Sequence, residues 1–277
     1  MIDVRMFAQS APGSAALSEA STYVRISDYL NPVSSFNSSK TEIVKAANSS
    51  AVASFPMVGR LLIVGAVSAF EGYCRGILSG CLTMCPISQA KASDKNINLG
   101  GAIWHGAKGD FNRSAFDNKS LADVKELKSI FKEYLNFELD TATFKDLLSS
   151  FETIMQFRHA IVHADGVLPG KNAVKLELNR SDQALVIKAN EKEIQECLLV
   201  IANLVATINR ELFKQMCRRW AVEWRKRADW VQAEENRLLD SIYELFVDKS
   251  YNVKLGSRKK WGKAALRQTV MAEYSIE

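Results

Sequence analysis

The stretch Met57-Val-Gly-Arg60-Leu-Leu-Ile-Val-Gly-Ala-Val-Ser-Ala-Phe70-Glu71-Gly-Tyr-Cys74-Arg75-Gly-Ile-Leu-Ser-Gly-Cys81-Leu-Thr-Met84 is apolar almost all round, with only Arg60, Glu71 and Arg75 interrupting it. A helix without a polar face must be enclosed by other elements. This stretch therefore predicts the buried helix of a helical bundle, ended by Pro86. Its uncharged runs are shorter than the roughly 20 apolar residues that a bilayer crossing takes.

The flanking segments extend the helical pattern. Residues 1–56 are Ser-rich and predict short helices packing on the bundle, one of them Ala16 to Leu30, stopped by Pro32. Residues 92–120, with Gly100-Gly101, Gly106 and Gly109, read as a long loop. Amphipathic helices are predicted over Leu121–Phe137 and from Thr143 to about His163. Ala173–Leu178 and Ala184–Lys188, joined by Asn179-Arg180-Ser181-Asp182, read as a β-hairpin. Asn190 and Glu193 form a capping box opening a long helix through Ile208, and helical pattern resumes to about Val247. The expected fold is an all-α antiparallel bundle over 57–210 with a small hairpin at about 173–188. A basic, Trp-rich helical extension follows over 211–277.

With 47% hydrophobic and 24% charged residues, the 277-residue chain is long and apolar enough for a sizeable core and is not a disordered polymer. Residues 210–277 hold 15 Lys/Arg against 10 Asp/Glu, whereas residues 1–209 hold 21 of each, so the whole net charge of +5 lies in the last quarter. A basic tail on a neutral body points to a polyanion partner. Cys74, Cys81, Cys85, Cys197 and Cys217 form no CxxC pair and have no His at ligand spacing, which predicts buried reduced thiols in a cytoplasmic protein. No metal and no cofactor are expected. Met1–Gln9 carries Asp3 and Arg5 and does not read as a signal peptide; a soluble protein without membrane association is expected.

Chemistry concentrates in Phe151-Glu-Thr-Ile-Met-Gln-Phe-Arg158-His159-Ala-Ile-Val-His163-Ala-Asp165-Gly166. On a helix turning about 100° per residue, Arg158 lies near the middle of the stripe formed by Phe144, Leu147, Leu148, Phe151, Ile154, Met155, Ile161 and Val162. His159 and His163 fall on one flank, about 100° and 140° from Arg158. A guanidinium stays charged in any setting, so one on a packing face calls for a carboxylate, a phosphate or a partner subunit. Glu71 is the acidic residue of the buried helix and has two readings: a pair with Arg75 one turn on, or with Arg158 across the core.

Arg158-x4-His163, with a polar residue after the Arg and an apolar pair before the His, resembles the R-x4-6-H motif of the HEPN superfamily. Ala66-Val-Ser-Ala-Phe-Glu71-Gly-Tyr-Cys-Arg75 is similar to an earlier bundle helix in the branch related to stand-alone defence ribonucleases. The resemblance covers roughly residues 20–210. It implies a homodimer with two motifs facing across a cleft and metal-independent endoribonuclease activity, in which a ribose 2′-OH attacks the adjacent phosphate to leave a 2′,3′-cyclic phosphate. It further implies Arg158 on the phosphate, His163 as general acid or base and His159 as a positioning or proton-sharing group, with Glu71 and Asp165 in support. An antitoxin or another defence-system protein would be the natural partner. Some toxins of the family carry a modifiable tyrosine two residues after the motif His; Asp165 stands there in this chain.

Two other regions bear weighing. His105 in the Gly-rich loop reads as a surface histidine, since the loop lacks the Lys-Ser/Thr end of a P-loop. Trp220 and Trp224, one turn apart, read as packing residues, whereas Arg225, Lys226 and Arg227 and the later Arg258, Lys259 and Lys260 are candidate RNA contacts. The rival reading is a non-catalytic HEPN-fold module binding RNA or a partner protein; a third, a DNA-binding or regulatory helical protein, rests on the basic tail alone.

Overall fold

The structure is a computed structural model that describes residues 16–26, 31–107, 109–248 and 262–276. Among them, helices account for the architecture and no strand is present. The elements are α1 (Pro32–Ala47), α2 (Ser50–Ser54), α3 (Pro56–Met84), α4 (Pro86–Ala92), α5 (Leu99–Gly106), α6 (Val124–Leu135), α7 (Ala142–Ala164), α8 (Gly170–Lys175), α9 (Glu191–Arg218), α10 (Glu235–Phe246) and α11 (Lys263–Glu273).

α3 is the central helix. It packs against α1, α9, α7, α6 and α10, and Ile63, Val67, Phe70, Tyr73, Cys74, Ile77, Leu78 and Cys81 are all buried in the core. By length and composition alone α3 would also pass for a membrane span; here it is the hub on which the other long helices pack. Close approach depends on its glycines: a Cβ on Gly59 would lie 1.8 Å from the Ala189 carbonyl oxygen, and one on Gly80 would lie 2.4 Å from Leu245 Cδ1 on α10.

α7 runs antiparallel to α3. The Phe70 and Phe151 rings meet at 4.6 Å near the middle of the pair, and Arg60 near the start of α3 reaches Asp165 just past the end of α7. α9 covers both helices, with Ile201, Leu204, Ile208 and Leu212 fully buried. It opens with the expected Asn190–Glu193 capping box, passes residue 210 unbroken, and continues into a π-helical turn at Arg219–Glu223.

The expected hairpin does not form. Gly170–Lys175 is the short helix α8, and the Val186 run makes a single antiparallel bridge to Val167 rather than to residues 173–178. Leu168 N–H donates to the Leu185 carbonyl at 2.8 Å, and Ile187 N–H to that of Gly166 at 2.8 Å. Short apolar runs do not distinguish helix from strand by periodicity. Pro169 starts a helical turn, and the Asn172 side chain bonds Gln156 on α7. Glu177 at φ 54° then breaks extended backbone, since that angle lies in the left-handed region.

Three further expectations change. Pro32 starts a helix instead of stopping one. Asn31 is the N-cap, its side-chain oxygen accepting from Ser34 N–H at 2.8 Å. Pro32 occupies the first turn, where a missing N–H costs nothing. Of the proposed Ala16–Leu30 helix, the described part holds one 3-10 turn, Ala20–Tyr23, and residues 27–30 lie outside the described residues. The segment read as a long loop contains α5, capped by the Asn98 side chain, and the 3-10 helix Phe111–Phe116.

Gly59→Ala is expected to destabilise the protein by about 2–3 kcal/mol, because backbone must move to admit the methyl group. Gly72→Ala, in open space on the same helix, should stabilise it by about 0.5–1 kcal/mol through helix propensity. Urea denaturation of the two variants checks the contrast.

Candidate functional site

The end of α7 is built by its stop signal. Asp165 takes the left-handed conformation (φ 47°), Gly166 follows at φ 84°, and Gly166 N–H returns to the Ala160 carbonyl at 3.0 Å. Such a left-handed turn satisfies carbonyls that a helix end leaves open. Glycine is required at 166 twice over: for its positive φ, and because a Cβ would fall 2.6 Å from Arg60 Cδ. The Arg60 guanidinium lies 3.2 Å from the Asp165 carboxylate. Asp165 thus pairs with α3 through a carboxylate that is 88% open to solvent, a contact of small energetic weight.

Arg158, His159 and His163 lie on the last two turns before this stop. Arg158 is half-buried in the α7 stripe, as its position among Phe151, Ile154, Met155 and Ile161 predicts. Its guanidinium makes no hydrogen bond or ion pair among the described residues. His159 and His163, one turn apart, are exposed, and their rings contact each other with centroids 4.7 Å apart and planes inclined by 48°. Shielding of the ring, followed by the positive charges of His163, Arg158, Lys171 and Lys175, lowers the His159 pKa from its ordinary 6.5; both effects disfavour the charged imidazolium. An anion placed among these groups would reverse the electrostatic part of that shift. The site can thus bind an anion and offers two imidazoles for moving protons.

Glu71 is not brought to Arg158. Its carboxylate pairs with Arg75 one turn on, at 3.5 Å, and Arg75 also donates to the Phe116 and Lys119 carbonyls. Glu71 belongs to the packing of α3 on the 3-10 helix, because the i,i+4 partner is already at hand.

Among the described residues, most cations of the basic C-terminal quarter have protein partners. Arg219, 2% exposed, donates to the Leu135 carbonyl at 2.7 Å and to Ser88 Oγ at 3.2 Å. It thereby bridges the first turn of α4 to the C-terminal end of α6, where a cation is favoured. Arg225 pairs with buried Glu235 and lies over the Trp220 ring at 5.3 Å. Arg227 is held by Asp229 at 2.8 Å, and Lys226 is exposed. Trp220 and Trp224 are fully buried, in keeping with the packing reading. Arg258, Lys259 and Lys260 lie outside the described residues.

Several residues at the α7 end escaped the sequence reading. Lys171 and Lys175 on α8 act electrostatically on His159, and Gln156 on α7 anchors that helix through Asn172 at 2.9 Å. The i,i+4 spacing of the two lysines is their signal in the sequence, and it acquires meaning only once the segment is helical. His105 is engaged by Asp117 at 3.1 Å. All five cysteines are buried and free, and burial pushes the thiols of Cys197 and Cys217 up to about 11 and about 12. No cluster of three or more His, Cys, Asp or Glu suited to a metal ion occurs among the described residues.

Comparison with protein-family models, with curated proteins and with solved structures finds no match to this chain. The fold and the residues at the α7 end are therefore the basis for a functional reading.

His159 is expected to titrate below 6.5 by NMR, and inorganic phosphate should raise its pKa. The folded state holds this proton less tightly than the unfolded chain, so stability should increase as pH rises from the folded His159 pKa towards the ordinary histidine value. His159→Asn should flatten that rise in urea titrations collected across the interval.

Proposed function

We propose that the protein is a metal-independent endoribonuclease of HEPN type that acts in the cytoplasm as a toxin or anti-phage effector. The observation that carries this reading is the pairing of two exposed imidazoles in ring contact with a half-buried arginine that no carboxylate neutralises among the described residues. A phosphodiester supplies the missing negative charge, and the imidazoles supply acid and base.

In the proposed reaction one histidine accepts the proton of a ribose 2′-OH as its oxygen attacks the neighbouring phosphorus. Arg158 binds the phosphate oxygens on which negative charge builds. The P–O5′ bond breaks, a second imidazole protonates the leaving 5′-oxygen, and the products are a 2′,3′-cyclic phosphate and a 5′-OH. His163 is assigned the principal acid–base role. His159 shares or positions the proton, and its lowered pKa favours the neutral, proton-accepting form.

A symmetric homodimer is part of the reading. Arg158 and His163 project about 140° apart from one helix, so a two-fold axis beside the helix end would bring one chain's imidazole towards the other's guanidinium. Leu61 and Val162, exposed on the α3 and α7 turns that the Arg60–Asp165 pair joins, offer apolar surface for such a contact.

Wild-type protein is expected to cleave single-stranded RNA in EDTA and leave 2′,3′-cyclic phosphate ends. His163→Ala and Arg158→Ala should each lower the rate by about 100-fold or more with unchanged circular dichroism. Cleavage by His163→Ala at the wild-type rate would refute the catalytic reading and favour the RNA-binding module.

Light scattering should give twice the chain mass. Mixed Arg158→Ala and His163→Ala chains should show activity that neither variant has alone. A fully active monomer would overturn the dimer.

A further inference from the structure

The short helix α8 is an addition to the bundle whose sequence, Gly170-Lys171-Asn172-Ala173-Val174-Lys175, contributes little to the core. Val174 is 77% exposed, and Asn172 is the buried residue of the element. What the structure invests in is its position. The Asn172 side-chain amide donates to Gln156 Oε1 at 2.9 Å, and the backbone before and after α8 is stitched together by the Leu168–Leu185 and Gly166–Ile187 hydrogen bonds.

Gln156, His159 and His163 share one face of α7, at spacings of three and four residues. Docking Asn172 on Gln156 therefore sets α8 beside the histidine face. Lys171 precedes the anchor by one residue, and Lys175 follows Lys171 by four, so the two ammonium groups share a face of α8. Both are exposed, and neither forms an ion pair or hydrogen bond among the described residues. Asp165, the acidic group at the helix end, is held by Arg60. Arg158, His163, Lys171 and Lys175, on two elements, thus bring positive charge to the surroundings of His159 and act on it electrostatically.

We propose that Lys171 and Lys175 form a phosphate rail that seats the backbone of single-stranded RNA next to the scissile phosphate. This deepens the endoribonuclease reading and rests on it for the identity of the nucleic acid. Lysines suit that role, because as flexible point charges they neutralise phosphates without reading bases. The rail gives affinity and register, not sequence preference.

The test uses the full-length chain, a fluorescein-labelled mixed-sequence 20-nucleotide RNA, and the double variant Lys171→Gln/Lys175→Gln. In cleavage assays KM should rise about tenfold, with kcat falling less than about twofold, as expected when two exposed charges are removed from a binding surface. In the His163→Ala background, anisotropy titrations should show the same fall in affinity. The slope of log K against log salt should become shallower by about 1.4, the share of two single-strand phosphates. Lys171→Arg/Lys175→Arg should restore binding, and Lys45→Gln, an exposed lysine on α1, should leave it unchanged.

RNA cleavage with a KM and salt slope unmoved by Lys171→Gln/Lys175→Gln would overturn the rail and leave the endoribonuclease reading intact. Lysine-dependent RNA binding without cleavage by the wild type would support the rail and overturn catalysis. Absence of both binding and cleavage would overturn both.

Discussion

Enclosing α3 is the constraint from which the rest of the structure follows. A 29-residue helix with apolar side chains on every flank gains from each neighbour that covers it, at roughly 25 cal/mol for each Å² removed from water. α1, α7, α9 and α10 provide that cover. The glycines of α3 decide how closely they come: Gly59 lets the chain before α9 touch the helix backbone, and Gly80 lets Leu245 do so. The antiparallel set of α7 against α3, and hence the location of the α7 end, is a consequence of this packing rather than a feature of α7 alone.

The site lies at the edge of that packing. Along α7 buried positions run from Phe144 to Ile161, and Arg158 among them is only half-buried. A guanidinium placed one turn earlier would be fully desolvated without a counter-ion, an arrangement costing several kcal/mol. At the end of the helix it keeps access to solvent while its stem covers apolar surface. The last two turns expose two imidazoles, and the left-handed Asp165-Gly166 stop fixes where the helix ends. Core packing and exposed cationic side chains thus lie within a few residues of each other on one helix.

Charge illustrates how far a sequence average is from a surface. The excess of cations after residue 209 suggested the nucleic-acid face. In the fold Arg219 satisfies helix-end carbonyls, Arg225 answers buried Glu235, and Lys263 is held by Asp240 and Glu244. The uncompensated cations at the α7 end come instead from a stretch whose net charge is unremarkable. What matters to a polyanion is which cations lack a partner, and partners are assigned by packing.

Much was legible in the chain itself. The all-round apolarity of α3, the amphipathic periods of α6 and α7 and the Asn190–Glu193 box are local patterns; the first three became the expected helices within a few residues, and the box opens a helix that runs ten residues past the expected Ile208. So was the placing of Arg158 in the stripe and of both histidines on its flank, because the helical repeat fixes angular position without reference to neighbours. Other features were settled by contacts remote in sequence. Whether 173–188 would pair as a hairpin, whether Glu71 would meet Arg75 or Arg158, and which cations would stay unpaired depended on α7, α8 and the 3-10 helix finding their places against α3. Short segments carry too little propensity to choose a conformation for themselves. An ionic group on a core-facing helix has partners of comparable local merit, and only the assembled bundle selects among them.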